Sequence, residues 1–175
     1  MRRLAEIDRG KLVGILADRL GFERAAVARY RVVVAELERA EPAVQRIVPR
    51  LGQQLGEKSE HVTWLQGELH RLEAPYETVR ARSEQAQRDC ERLFGDGAPS
   101  ALEMLRGLGR LELADADAWE ILVDVAARAG DEPARSGFAR RRDEERGHAR
   151  FLHRVLVELT VNDTLGHPVT LPIAP

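Results

Sequence analysis

Apolar residues recur along most of this chain in alternating steps of three and four, the spacing of one face of an α-helix. The first stripe runs Leu16, Leu20, Glu23, Val27, Tyr30, Val34 and Leu37 and predicts a helix over about 10–40, ended by Glu41-Pro42. A second stripe, Val48, Leu51, Leu55, Lys58, Val62, Leu65, Leu69 and Leu72, predicts a helix over about 43–73 with His61 on the same face. Pro49 either starts or kinks it, and Pro75 closes it. Residues 76–94 carry only a thin apolar stripe among Arg, Glu and Gln, which predicts a mostly exposed connecting helix. Gly95 to Ser100 is a break, with Ser100 placed as an N-cap. The third stripe, Leu105, Glu112, Ala116, Trp119, Val123 and Ala126, predicts a helix over about 101–129, closed by Gly130 and followed by a capping Asp131. The fourth, Phe138, Glu145, His148, Leu152, Val155 and Leu159, predicts a helix over about 132–160. Residues 164–175 hold three prolines and read as an extended or disordered tail. No segment alternates like a strand, so the expected fold class is all-α.

Composition agrees with this reading. Ala, Leu, Arg and Glu dominate, and 32% of residues are charged, which favours helices. A net charge of −2 gives no field for nucleic acid or an anionic membrane. The length of 175 residues fits one domain, over 1–163, with the tail beyond it. Met1-Arg2-Arg3 is followed at once by Glu6, Asp8, Arg9 and Lys11, so no signal-peptide apolar region forms, and no apolar run spans a bilayer. The single cysteine, Cys90, forms no internal disulfide and fits a reducing cytoplasm.

The polar members of the stripes carry the chemistry. An unpaired carboxylate in a bundle core is very costly, yet each stripe holds a polar residue near mid-length. Their register repeats. At an offset of 89, Glu23 matches Glu112, Val27 matches Ala116, Tyr30 matches Trp119 and Val34 matches Val123. At an offset of 87, Leu51 matches Phe138, His61 matches His148, Trp64 matches Phe151, Leu65 matches Leu152 and Leu72 matches Leu159. Two copies of a helix pair, joined by a long polar crossover, predict a four-helix bundle. A metal ion explains the repeated polar layer, because a cation stabilises clustered carboxylates and imidazoles. Glu23, His61, Glu112, Glu145 and His148 are the candidate metal ligands.

Glu on the first and third helices, with Glu-x-x-His on the fourth and its counterpart on the second, resembles the ferritin-like di-iron carboxylate proteins. More narrowly, F-E-R-x-x-V-x-x-Y at 22–30, E-L-A-D-x-D-A-W-E at 112–120 and D-E-E-x-x-H at 143–148 are similar to a bacterial ferritin-like domain group. The resemblance covers about 12–160, apart from the connector. It implies a ferritin-like bundle holding one or two iron ions, or manganese. It also implies non-haem oxidase or ferroxidase-like chemistry: oxidation with oxygen or peroxide, or iron handling. A homodimer or higher homo-oligomer stays open.

One position departs from the family pattern. The residue three before His61 is Lys58, where the pattern has a glutamate and where Glu145 stands at the 87 offset. Glu57, rotated about 100° on the helix, and Glu60, beside His61, are the candidate substitutes. Glu23, Glu112 and Glu145 with Lys58 sum to a charge one divalent ion neutralises. The expectation is therefore a one-metal or weakened second site. The alternative is a metal-free structural or stress-related bundle with a salt-bridged polar core.

Other candidates have plainer expectations. Tyr30 and Trp119 are expected to pack in the core. His70 and His153 lack repeat counterparts and read as ordinary helix residues, and His167 as solvated. Arg140-Arg141-Arg142 reads as a solvated face, with Glu144 and Arg146 also turned outward. Nothing near Cys90 marks it as reactive.

Overall fold

The computed structural model describes residues 1–92, 100–166 and 171. The break at 95–99, His167 and most of the tail lie outside the described residues. The protein is all-α, with no strand among the described residues. Its elements are α1 (Arg2–Leu37), α2 (Pro42–Gln45), α3 (Val48–Arg71), α4 (Tyr76–Glu91), α5 (Ala101–Arg128) and α6 (Glu132–Leu165). No helix among the described residues is long and apolar enough to cross a membrane.

The helices start and stop where local chemistry directs them. α1 begins earlier than the stripe predicts, but Asp8 is non-helical (φ −158°, ψ 91°) and its Oδ1 accepts from Lys11 N at 2.9 Å. The stripe therefore begins just past an N-cap, and residues 2–7 form an added segment. Pro49 stands in the first turn of α3, so it starts that helix instead of kinking it. Ser100 and Glu103 form a capping box at the head of α5. Gly130 takes a left-handed φ of 65°, and Asp131 caps α6 by accepting from Ala134 N at 3.2 Å.

α1 packs on α3, α4 and α5, and α6 packs on α5 and meets α3. The stripes face inward almost as spaced: Leu16, Leu20, Leu51, Leu65, Leu105, Trp119, Phe138, Leu152 and Val155 are buried, while Val34 yields its place to Val33. Each such apolar side chain contributes about 1.5–3 kcal/mol by leaving water. The apolar residues fall into two clusters. One gathers Leu16, Leu20, Leu65, Trp119 and Phe138, and the other Leu37, Leu51, Leu105, Leu152 and Val155. The polar residues of the stripes lie between these two clusters along the helices.

α4 is mostly exposed, as expected, yet it is docked. Ser83 and Cys90 are buried against the rest of the protein. Gly21 permits this, because a Cβ there would stand 2.0 Å from the Ser83 carbonyl oxygen. The Arg82 guanidinium Nε donates to Asp18 Oδ1 at 2.9 Å and to Gly14 O at 3.1 Å, which fixes the register of α4 on α1.

Candidate metal centre

Four helices bring seven ionisable side chains into one buried layer. Glu23 comes from α1, Lys58 and His61 from α3, Glu112 and Asp115 from α5, and Glu145 and His148 from α6. None is more than 2% exposed. They meet there because each occupies an inward position of its helix, and the flanking apolar clusters exclude water.

Two three-ligand groups form within the layer. Glu23, His61 and Glu145 make one, and Glu112, Glu145 and His148 the other, with ligand atoms in each within 4.8 Å of one another. Glu145 belongs to both: Oε1 lies 3.0 Å from His61 Nδ1 and Oε2 lies 3.3 Å from His148 Nδ1. Glu23 Oε1 lies 3.2 Å from His61 Nδ1, and Glu112 Oε2 lies 3.1 Å from His148 Nδ1. All five candidate ligands thus converge.

Each histidine is also held from behind. Glu57 Oε2 lies 2.5 Å from His148 Nε2, and Glu144 Oε2 lies 2.7 Å from His61 Nε2. Outer carboxylates of this kind orient an imidazole and set which nitrogen faces inward. Glu57 thus meets the His148 nitrogen opposite the one that faces Glu112 and Glu145. Glu60 is exposed and takes no part, because its place on α3 turns it to solvent. Glu144 is only 34% exposed at its side chain and does not fall wholly toward solvent as expected, since its length lets it reach back to His61. Arg146 does turn outward, pairing with Glu120 at 3.1 Å.

Lys58 points inward, as its stripe requires. Its Nζ donates to Glu145 Oε2 at 2.6 Å and to Asp115 Oδ2, and lies 3.3 Å from Glu112 Oε1 and 3.7 Å from Glu23 Oε2. Arg19 Nη2 donates to Asp115 Oδ1 and to Glu23 Oε1 at 3.3 Å. Sequence reasoning missed Asp115 and Arg19. Asp115 stands three residues after Glu112, on the same face, and Arg19 four before Glu23, so helical spacing was the available signal. Gln54 was missed too: it is buried and accepts from Tyr30 OH at 3.2 Å. Trp119 Nε1 donates to Glu23 Oε1 at 3.1 Å. Both aromatic residues pack in the core as expected, and their polar tips also reach this layer. Arg141 departs from the expected solvated face. It is buried, with its guanidinium 3.6 Å from the centre of the Trp64 ring, and it donates to Gly137 O at 2.7 Å. The aromatic surface offsets its lost hydration.

The electrostatics follow from this crowding. Burial works against the Lys58 ammonium, but Glu112, Glu145 and Glu23 outweigh it and hold its proton above the ordinary lysine range. Burial likewise opposes charge on the histidines. The surrounding carboxylates prevail, Glu144, Glu145 and Glu23 raising His61 to about 10, and Glu112, Glu145 and Glu57 raising His148 to about 11. Burial drives the Glu112 carboxyl up to about 7, with Lys58 pulling the other way. For Glu145, burial is overcome by Lys58, its Glu112 hydrogen bond and both histidines, and the carboxyl stays well below its ordinary value.

The donor set can hold a divalent metal ion, since carboxylate oxygens and imidazole nitrogens are both metal ligands. Glu23 Oε2, Glu112 Oε1 and Glu145 Oε1 are buried and accept no hydrogen bond, having only ion-pair neighbours in Lys58 and His61. Compared with known proteins, the chain matches no family model, no curated protein and no solved structure.

Proposed function

We propose that the chain is a ferritin-like four-helix bundle that binds one divalent transition ion, iron or manganese, beside the Lys58 ammonium. The observation that carries this reading is the convergence of two three-ligand groups on a shared Glu145. Charge supports a single ion. Four inner carboxylates, Glu23, Glu112, Asp115 and Glu145, face two fixed cations, Lys58 and Arg19. The remaining deficit of two charges matches one divalent ion with neutral histidines. Asp115 and Arg19 cancel each other, so the balance inferred from the stripes alone is unchanged.

When bound, such an ion supplies redox chemistry toward oxygen or peroxide, and the proposed activity is oxidation with these or the handling of ferrous iron. The chain's own residues have defined parts. Glu145 joins the two groups. His61 and His148 present Nδ1 inward while Glu144 and Glu57 hold Nε2. Lys58 occupies the place of a ligand glutamate and neutralises the carboxylates that a second ion would need. Ligation requires neutral imidazoles, so uptake of the ion releases protons from His61 and His148.

A second reading has its own observation. With both histidines protonated, Lys58, Arg19, His61 and His148 balance the four inner carboxylates without an ion. The bundle would then be a metal-free structural or stress-related module. Metal analysis of purified protein, with and without iron or manganese loading, separates the two. One tightly bound ion per chain is expected, with a melting temperature that falls on chelation. Two ions per chain would overturn the part assigned to Lys58. No ion, with a melting temperature that chelator does not move, would overturn metal binding and favour the second reading.

A further inference from the structure

On the outer face of α5 and α6, away from the buried layer, lies a cavity of about 590 Å³. Leu113, Ala149 and Leu156 give it an apolar lining. Gly109 deepens the floor, since a Cβ there would stand 3.4 Å from Leu156 Cδ1. Leu113 is 66% exposed in the middle of this surface.

Its rim is cationic. Arg106 and Arg110 stand one turn apart on α5, and Arg150 and Arg154 one turn apart on α6, with His153 between the latter two. None of these four arginines makes an ion pair among the described residues. Arg106 feels Glu103, but that carboxylate is committed to the Ser100 cap. Arginines without an ion pair among the described residues occur elsewhere, at Arg24, Arg31, Arg46 and Arg128, but here four gather around one apolar surface, while others on the surface are paired. Arg2, Arg39, Arg71, Arg80, Arg92 and Arg135 each pair with a carboxylate three or four residues away. Four unpaired guanidiniums around an exposed leucine repel one another, in a chain whose net charge is −2. A bound anion relieves that repulsion.

We propose that this cavity binds a single-chain anionic amphiphile, a long-chain fatty carboxylate. The alkyl chain would lie on Leu113 and Leu156, and the carboxylate between the guanidiniums. A guanidinium fork matches a carboxylate in two hydrogen bonds, and the arginine stems extend the apolar wall. The volume lies within the range of small-molecule sites, about 300–1,000 Å³. Leu113, Ala149 and Leu156 make the apolar part of the lining aliphatic, the surface an alkyl chain packs against.

The test is a fluorescence titration of the full chain with cis-parinaric acid, below its micelle concentration, followed by displacement with oleate. Saturable binding at one molecule per chain is expected, displaced by oleate and not by oleyl alcohol. The Arg110→Gln/Arg150→Gln pair should weaken binding roughly tenfold or more while circular dichroism and melting temperature stay unchanged. Leu113→Asp, an exposed change, should weaken it as well. Absence of saturable binding, equal displacement by the alcohol, or an unaltered affinity in both variants would overturn the proposal. Sedimentation with phosphatidylglycerol vesicles, without binding of monomeric oleate, would also overturn it and assign the face to a membrane surface. Displacement by polyglutamate but not by oleate would do the same in favour of an acidic peptide.

Discussion

Lys58 Nζ lies 2.6 Å from Glu145 Oε2, and these two residues stand 87 positions apart, the offset that also separates His61 from His148. Glu145 therefore meets a direct counter-ion inside the buried layer.

Replacing Lys58 by Met should expose that dependence. Glu145, Asp115 and Glu112 would lose a shared cation inside a dry layer. Breaking one side of a buried charge cluster costs about 3–5 kcal/mol. Urea unfolding in the presence of chelator should show a loss of that size. Added manganese should restore more stability to Lys58→Met than to the parent protein. An unchanged midpoint would show that the ammonium is not what balances the carboxylates.

The outer carboxylates should act through the histidines. Glu57→Gln and Glu144→Gln each remove the charge behind an imidazole nitrogen while keeping its side chain in place. Losses of this kind lower metal affinity about 10- to 100-fold. Competition with a chromophoric chelator should read this, with Glu60→Gln as an unaffected control, because Glu60 is exposed.

The docking of α4 should depend on Gly21. An alanine Cβ would stand 2.0 Å from Ser83 O, a backbone atom that cannot rotate away. Overpacking against backbone should cost about 3 kcal/mol. Gly21→Ala should lower the melting temperature and open α4 to limited proteolysis near Arg80–Arg88. A proteolysis pattern identical to the parent's would show that α4 is not held at this point.

Acid stability should report on Asp131. Burial alone would raise its carboxyl, but the Leu4 and Ala134 amides and the N-terminal ammonium hold it below 3.8. A carboxyl with a depressed folded value contributes stability that is present above 3.8 and lost as pH falls through the lower folded value. Asp131→Asn should therefore be less stable than the parent at neutral pH. The difference should shrink on acidification below that point, as measured by unfolding at several pH values. A difference constant with pH would remove Asp131 as the source.

Much of this protein was already determined by its sequence. A helix repeats every 3.6 residues, so the spacing of Leu16, Leu20 and Leu37, or of Leu51, Leu65 and Leu69, settles which faces turn inward. That rule places Glu23, His61, Glu112, Glu145, His148 and Lys58 in the interior without reference to any partner. Tertiary structure alone decided how their charges are shared. Periodicity gives a direction from a helix axis, while Arg19, Glu57 and Glu144 act through the reach of long side chains across a gap between helices. Glu57 and Glu60 both flank the inward face of α3, yet only Glu57 meets His148, because α6 runs past one flank and water lies on the other. Arg141 was buried for a similar reason: the aromatic surface of Trp64 on a neighbouring helix offsets a cost that no spacing along α6 can reveal.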